Sequence, residues 1–142
     1  AAFSFDEIII QAVGSAAIGA MNTSLWAYDL DNAANHAFVD GFRETYGRTP
    51  TLYAAQGYDT ALLILSALEK AHPSDKDAFR EALREADFDS VRGKFRFGPN
   101  HHPIQDILVR EVVVVEDGQP TNLLVGIAVE DIQDIYHEQC QM

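Results

Sequence analysis

The chain has 142 residues, of which 47% are hydrophobic and 23% are charged, so it is long and apolar enough to fold around a core. Its formal net charge of −12 repels phosphate backbones and anionic headgroups, which disfavours nucleic-acid binding and adsorption to membranes. No apolar run approaches the roughly 18 residues that a membrane-spanning helix needs, so we expect no membrane insertion.

The first third of the chain predicts a helix, a strand and a second helix. Apolar residues recur at helical spacing over residues 6–17, and the following run, 18–26, carries the small and β-compatible residues of a strand. Asp31 or Asn32 is a suitable N-cap for the next helix. We expect that helix to end at Gly47, because glycine readily adopts the left-handed conformation that closes helices.

The middle of the chain predicts two further helices, over residues 53–71 and 74–86. The first is apolar on nearly every side, a pattern typical of a helix that is covered on two faces. The second begins at Ser74 as its N-cap and carries charged residues along its outer side.

After Ser90 the helical period gives way to the alternation of apolar and polar residues that predicts strands. In chain order we expect a strand over 91–97, a loop over 98–103, a strand over 107–116, a turn at Asp117 and Gly118, a strand over 123–129 and a polar tail with one turn of helix. This mixture indicates an α/β fold. Because the strand and helix pairs that would complete a parallel sheet are missing, we expect the chain to be part of a longer protein.

The sequence contains none of the motifs that carry common enzyme chemistry. It has no Gly-x-Ser-x-Gly turn, no phosphate-binding loop and no dinucleotide-binding glycine pattern, so we expect neither catalysis nor a cofactor. His101 and His102 are adjacent on a loop without a cysteine or a suitably spaced carboxylate, so we expect no metal site. Cys140, the only cysteine, either pairs with a cysteine outside this chain or is a plain thiol.

Several aromatic residues lie at the predicted ends of helices and strands rather than in their middles. Element ends are where α/β folds place ligand sites, although each of these rings could equally serve local packing. The residues are Phe3, Phe5, Trp26, Tyr28, Tyr53 and Tyr58.

Four stretches, in the right order, resemble the type I periplasmic binding proteins of the branched-chain amino-acid transporter family. They are residues 31–39 leading into Tyr46-Gly47-Arg48-Thr49-Pro50, the run Tyr53-Ala54-Ala55-Gln56-Gly57-Tyr58-Asp59, residues 88–98, and the loop 100–106 with its following strand. The tail ending at Met142 also resembles the C-terminus of such proteins, so the resemblance covers nearly the whole chain.

The resemblance implies a two-lobe fold with three crossovers and a ligand cleft between the lobes. Residues 1–47 would then belong to the second lobe, 48–106 to the first, and 107–142 to the second lobe and the C-terminal tail. The chain would be an incomplete C-terminal part of this fold. We therefore expect it to need the N-terminal portion of the same protein to fold stably, because the apolar helix near Tyr53 would otherwise lack a sheet to cover.

The resemblance also implies a function without catalysis. The family supplies the extracytoplasmic solute-binding component of ABC importers, which is periplasmic, is exported as a precursor with a signal peptide, and delivers a small molecule to the transporter's permease. The alternative is a ligand-sensing domain of a receptor or regulator with the same fold.

The ligand expected from the resemblance is a small organic acid. Amino-acid binders of the family often carry an acidic residue just before the glycine that matches Gly19, where it holds the ligand's ammonium group. Ile18 occupies that position here, and an isoleucine cannot pair with a buried charge. We therefore favour an aromatic carboxylate, with a fatty or dicarboxylic acid as the second choice. The expected ligand-binding residues are Phe3, Phe5, Ile18, Trp26 and Tyr58.

Overall fold

A computed structural model describes residues 5–115 and 118–140. It contains four helices and four strands, which confirms the expected α/β fold. In chain order they are α1 (Glu7–Val13), a short 3-10 helix (Gly14–Ala17), β1 (Met21–Ser24), α2 (Ala33–Tyr46), α3 (Leu52–Lys70), α4 (Lys76–Glu85), β2 (Arg96–Phe97), β3 (Pro103–Val114) and β4 (Pro120–Ile132). Within the described ranges, no helix is long and apolar enough to cross a membrane.

The ends of the helices follow the capping chemistry of the sequence. Asn32, rather than Asp31, caps α2 by accepting hydrogen bonds from the backbone N–H groups of the first turn. Gly47 ends α2 in the left-handed conformation, as expected. The cap of α4 is Asp75 and not Ser74, because the Asp75 carboxylate is the group that accepts from the N–H of Ala78 at 3.0 Å.

The described strands form one sheet around β3, and every pairing in it is antiparallel. Strand β4 pairs with β3 over most of its length, from Gln105 opposite Ile132 to Val114 opposite Pro120. The short strands β1 and β2 pair with the later and earlier parts of β3, respectively. Strand β3 therefore brings β1, from the N-terminal part of the chain, into the same sheet as β4, from its C-terminal part.

All four expected strands differ in extent from those observed. The strand expected over 18–26 is confined to Met21–Ser24, and residues 14–17, expected to continue the first helix, form the 3-10 helix. The strand expected over 91–97 is reduced to Arg96–Phe97, because the backbone turns at Gly93, whose φ is 88°.

At the other end, β3 begins at Pro103 within the expected loop, and β4 extends beyond both expected ends. Asp117 of the expected turn lies outside the described residues. Its neighbour Gly118 has the positive φ, 79°, that a hairpin turn requires.

The apolar side chains form two separate buried clusters. The first joins Ile10 and Ala17 to Val112 of β3, with Phe5 packed against it. The second joins the end of β1 to α2, α3 and the segment before β2; its members are Trp26, Phe38, Val39, Leu52, Ala55 and Val91. Helix α2 therefore packs with α3. Within the first 47 residues, Ile10 and Ala17 belong to the first cluster, whereas Trp26, Phe38 and Val39 belong to the second.

Exposed large apolar side chains are most numerous on two elements. Helix α3 exposes Tyr58, Ile64, Leu65 and Leu68. Strand β4 exposes an alternating series of β-branched residues, Val125, Ile127 and Val129. In the described structure, neither the face of α3 nor the face of β4 is covered as its sequence leads one to expect.

Candidate ligand-binding site

A cavity of about 400 Å³ lies between α1, the end of α2 with the segment after it, and residues 115 and 119–121 next to the adjoining ends of β3 and β4. Its position follows from local structure at α1. The Asp6 carboxylate caps this helix by accepting from the N–H groups of Ile8 and Ile9, at 3.0 and 2.9 Å. The cap fixes the first turn so that the next residue, Glu7, is buried and lines the cavity.

Arg110 of β3 is the centre of the buried polar cluster beside this cavity. Its side chain is 1% exposed, and its guanidinium donates to the Asn22 side chain, to Glu7, and to the carbonyls of Phe5 and Trp26. Burial lowers the pKa of Arg110 below its ordinary value, and the nearby carboxylates, Glu7 first among them, oppose that shift. We name the side chains of Arg110, Glu7, Asn22 and Asn122 the Arg110 cluster.

The two oxygens of the Glu7 carboxylate have different surroundings. Oε1 accepts from Arg110 Nη1 at 3.1 Å and from Asn122 Nδ2 at 3.2 Å. Oε2 is buried, and among the residues that the structure describes it is the one buried side-chain nitrogen or oxygen without a hydrogen-bond partner. Because a buried carboxylate oxygen is costly to leave unpaired, Oε2 marks an incompletely satisfied position in the Arg110 cluster.

Two arginines line the same cavity from the segment around the end of α2. Arg43 lies over the ring of Tyr28, at 5.2 Å, and donates to the Thr49 hydroxyl at 3.2 Å. Arg48 lies over the ring of Phe42, at 5.3 Å. In the described part of the chain, neither arginine forms an ion pair with a carboxylate. Within the described ranges, no carboxylate competes with an anion for either guanidinium group.

A second buried ion pair, between Asp59 of α3 and Arg92, is fully satisfied. Asp59 Oδ2 accepts from Arg92 Nε at 2.7 Å and from the Ser90 hydroxyl at 2.6 Å, and Oδ1 accepts from the N–H of Val91 at 2.9 Å. Arg92 also donates to the side chain of Gln105 on β3 at 3.1 Å. This cluster ties α3 to the segment before β2 and leaves no oxygen of Asp59 unpaired.

The structure separates the five residues expected to bind ligand. Phe5 and Trp26 meet at Arg110, but through their carbonyls; the Trp26 side chain is fully buried and donates to Asn35 Oδ1 at 2.7 Å. The ring of Tyr58 stacks on Phe38, at 4.8 Å. Ile18 is 49% exposed and precedes the opposite end of β1 from Trp26. Phe3 lies outside the described residues.

The sequence reasoning gave no ligand-binding role to Glu7, Arg43, Arg48 or Arg110. For Arg110 a signal exists, because it is a charged residue on a strand face that it shares with the apolar residues Leu108 and Val112. For the other three no signal exists, since exposed-looking charges at helix ends are usually solvated.

The described residues contain no group of histidine, cysteine and carboxylate side chains that could hold a metal ion. His101 and His102 lie in a loop that is tied to the tail by Asn100, whose amide donates to Asp134 Oδ2 at 2.7 Å. Cys140 is a free, exposed thiol.

Comparison with known proteins gives a consistent result. The family model described as periplasmic binding protein matches residues 1–119. The Leu/Ile/Val-binding protein homolog 6 of Brucella abortus (strain 2308) is 28% identical over 116 residues, which cover 79% of this chain and 30% of that protein.

Two solved structures share the fold. A solute-binding protein of an ABC transporter from R. palustris, in complex with benzoate, is 29% identical with a TM-score of 0.78, over 92% of this chain and 35% of that one. An ABC transporter substrate-binding protein from Desulfitobacterium hafniense, in complex with Leu, is 30% identical with a TM-score of 0.63, over 75% of this chain and 32% of that one. The chain thus spans about a third of the length of each protein it matches.

Proposed function

The chain belongs to the type I periplasmic binding proteins of the branched-chain amino-acid family, and on that premise we propose that it is part of the extracytoplasmic solute-binding component of an ABC importer. In this role it binds a small organic acid and releases it unchanged. The related proteins named above are solute-binding proteins and not enzymes, which supports a function without catalysis.

The observation that carries this proposal is the pair of unpaired guanidinium groups at one cavity. Arg43 and Arg48 each have an aromatic ring on one side and no carboxylate partner among the described residues. A guanidinium offers several N–H donors in a planar fork that fits a carboxylate. A carboxylate ligand would therefore find both its charge partner and a flat apolar neighbour here.

We propose an aromatic carboxylate rather than an amino acid as the ligand. The benzoate-bound relative matches more of this chain, and with the higher TM-score, than the Leu-bound relative does. Ile18 and the rings of Tyr28 and Phe42 are consistent with an uncharged, flat ligand body.

The expected ligand-binding residues and lobes remain part of the proposal. We propose that Phe3, Phe5, Ile18, Trp26 and Tyr58 contribute to ligand binding outside the cavity that Arg43 and Arg48 line, with Trp26 acting through its backbone because its side chain is buried. We also propose that residues 1–47 and 107–142 belong to one lobe and 48–106 to the other. Helix α2 would then lie at the boundary, since it packs against α3.

The exposed apolar faces of α3 and β4 support the proposed partners. We propose that the N-terminal portion of the same protein covers them, in a periplasmic receptor that docks on a membrane permease. Apolar faces such as these, which expose Leu65, Leu68, Val125 and Ile127, are unusual on the solvent-exposed surface of a folded protein. The length of the relatives, about three times that of the matched region, leaves room for such a portion.

The test is calorimetric titration of the purified protein with benzoate and with leucine. We expect benzoate to bind more tightly, and Arg48→Gln to weaken benzoate binding about tenfold or more through loss of a charge-assisted contact. Arg84→Gln, which changes an exposed arginine of α4 far along the chain, is the matched control and should leave the affinity unchanged. The proposal would be overturned if leucine bound and benzoate did not, or if Arg48→Gln and Arg84→Gln bound benzoate equally tightly.

A further inference from the structure

We infer that Asn35 of α2 is a positioning residue for the ligand site, because it fixes the loop that carries Tyr28 and, through the Tyr28 ring, the guanidinium of Arg43. Tyr28 and Arg43 line the cavity, whereas Asn35 does not, so Asn35 acts on a bound acid only through these two residues. The inference rests on the proposed function and adds to it the side chain that orders one of its two arginines.

The Asn35 side chain is fully buried in the first turn of α2, where it faces the loop between β1 and α2. Its Nδ2 group donates to the carbonyls of Ala27, Tyr28 and Leu30, at 3.2, 3.1 and 3.0 Å. Its Oδ1 accepts from Trp26 Nε1 at 2.7 Å. One buried amide therefore binds four residues of a single loop, and such a satisfied network holds the loop backbone in one conformation on α2.

The loop that Asn35 holds carries the ring on which Arg43 lies. The centre of the Arg43 guanidinium is 5.2 Å from the centroid of the Tyr28 ring. Asn35 and Arg43 are about two helical turns apart on α2, so one helix carries both the amide that fixes the loop and the arginine that packs on it. On its other side, Arg43 Nη2 donates to the Thr49 hydroxyl at 3.2 Å.

These contacts matter because Arg43 is exposed, and burial therefore does not order its side chain. A long arginine side chain in water has many rotamers, and ordering it when a ligand binds costs free energy. The Tyr28 ring and the Thr49 hydroxyl restrict Arg43 before binding and leave its other N–H donors for an anion. Arg48 lies instead over Phe42, a residue of α2 and not of the loop. Asn35 should therefore affect Arg43 and not Arg48.

The experiment is a double-mutant cycle on benzoate affinity, measured by calorimetric titration of the purified protein. Asn35→Ala keeps a good helix former in α2, and the polar space that it opens can hold a water molecule. We expect this variant to bind benzoate about tenfold more weakly. In an Arg43→Gln background its further effect should be about threefold or less, because the arginine to be positioned is gone, whereas in an Arg48→Gln background the full tenfold should remain.

Two further variants make the test specific. Asn100→Ala is the matched control, since it removes a buried asparagine amide that ties a distant loop to Asp134, and it should leave benzoate affinity unchanged. Tyr28→Leu removes the ring and leaves the Asn35 amide in place. It should show the same coupling to Arg43 and not to Arg48, and it tests the positioning of Arg43 if Asn35→Ala does not fold.

The inference and the function on which it rests fail in different ways. An equal loss from Asn35→Ala in the Arg43→Gln and Arg48→Gln backgrounds would show a general effect on folding and would overturn the positioning role alone. Unchanged affinity in folded Asn35→Ala would do the same. If the unmodified protein bound no benzoate, both the proposed function and the inference would be overturned.

Discussion

The described part of the chain contains two buried ion pairs, and they differ in how completely their hydrogen-bonding groups are satisfied. In the Asp59–Arg92 pair, both carboxylate oxygens accept hydrogen bonds from within the chain. In the Glu7–Arg110 pair, the guanidinium is well satisfied but one carboxylate oxygen is unpaired beside a cavity. The first arrangement holds elements together and offers nothing to a ligand. The second also holds elements together, but it leaves one buried carboxylate oxygen without a partner, so the two pairs differ in how completely their carboxylates are satisfied.

The largest expected effect is the removal of the guanidinium at the centre of the Arg110 cluster. Arg110→Met leaves the Glu7 carboxylate, the Asn22 side chain and two backbone carbonyls without their donor. We expect the free energy of unfolding to fall by about 4 kcal/mol, the range for breaking a buried ion pair. Urea unfolding measures this loss, with Arg96→Met, an exposed arginine paired with Asp131, as the control. A loss equal to that of the control would contradict the central position of Arg110.

The next effect compares the two carboxylates directly. Asp59→Asn puts an amide where Arg92, Ser90 and Val91 all require acceptors, so we expect a loss of about 3 kcal/mol in the free energy of unfolding. Glu7→Gln keeps an oxygen for Arg110 and changes the atom that has no partner, and Asp6 and Asp29 still act on the Arg110 charge, so we expect a smaller loss of about 1 kcal/mol. Urea unfolding of both variants under the same conditions measures the two losses in the free energy of unfolding. Equal losses would mean that the two pairs are equivalent and that the open oxygen has no special meaning.

Much of the fold could be predicted from the sequence because its local signals agree with its tertiary structure. Asn32 and Gly47 bound α2 by local capping chemistry that no distant residue overrides. The strand predicted over 91–97 was too long, because the alternation of apolar and charged residues there does not arise from strand pairing alone. Val91 is buried by its hydrogen bond to Asp59, more than thirty positions earlier in the chain, and Gly93 turns the backbone. Periodicity cannot distinguish a strand from a segment held in place by a distant side chain.

The candidate site was less accessible to sequence reasoning because it is assembled from distant parts of the chain. Glu7 and Arg110 are 103 positions apart, and the pairing of β1 and β4 with β3 brings them together. The aromatic residues were expected to bind ligand because they lie at the predicted ends of elements, yet the Trp26 ring is buried and its carbonyl accepts from Arg110. The unpaired state of one carboxylate oxygen is a property of three-dimensional contacts alone.

The central claim, that this chain is part of a receptor for a small organic acid, is tested most directly by native mass spectrometry of the purified protein in the presence of benzoate. The account predicts one bound acid per chain, in a complex with a further polypeptide that covers the apolar faces of α3 and β4. A lone species at 15.7 kDa that carries no acid, even with the acid in large excess, would contradict it.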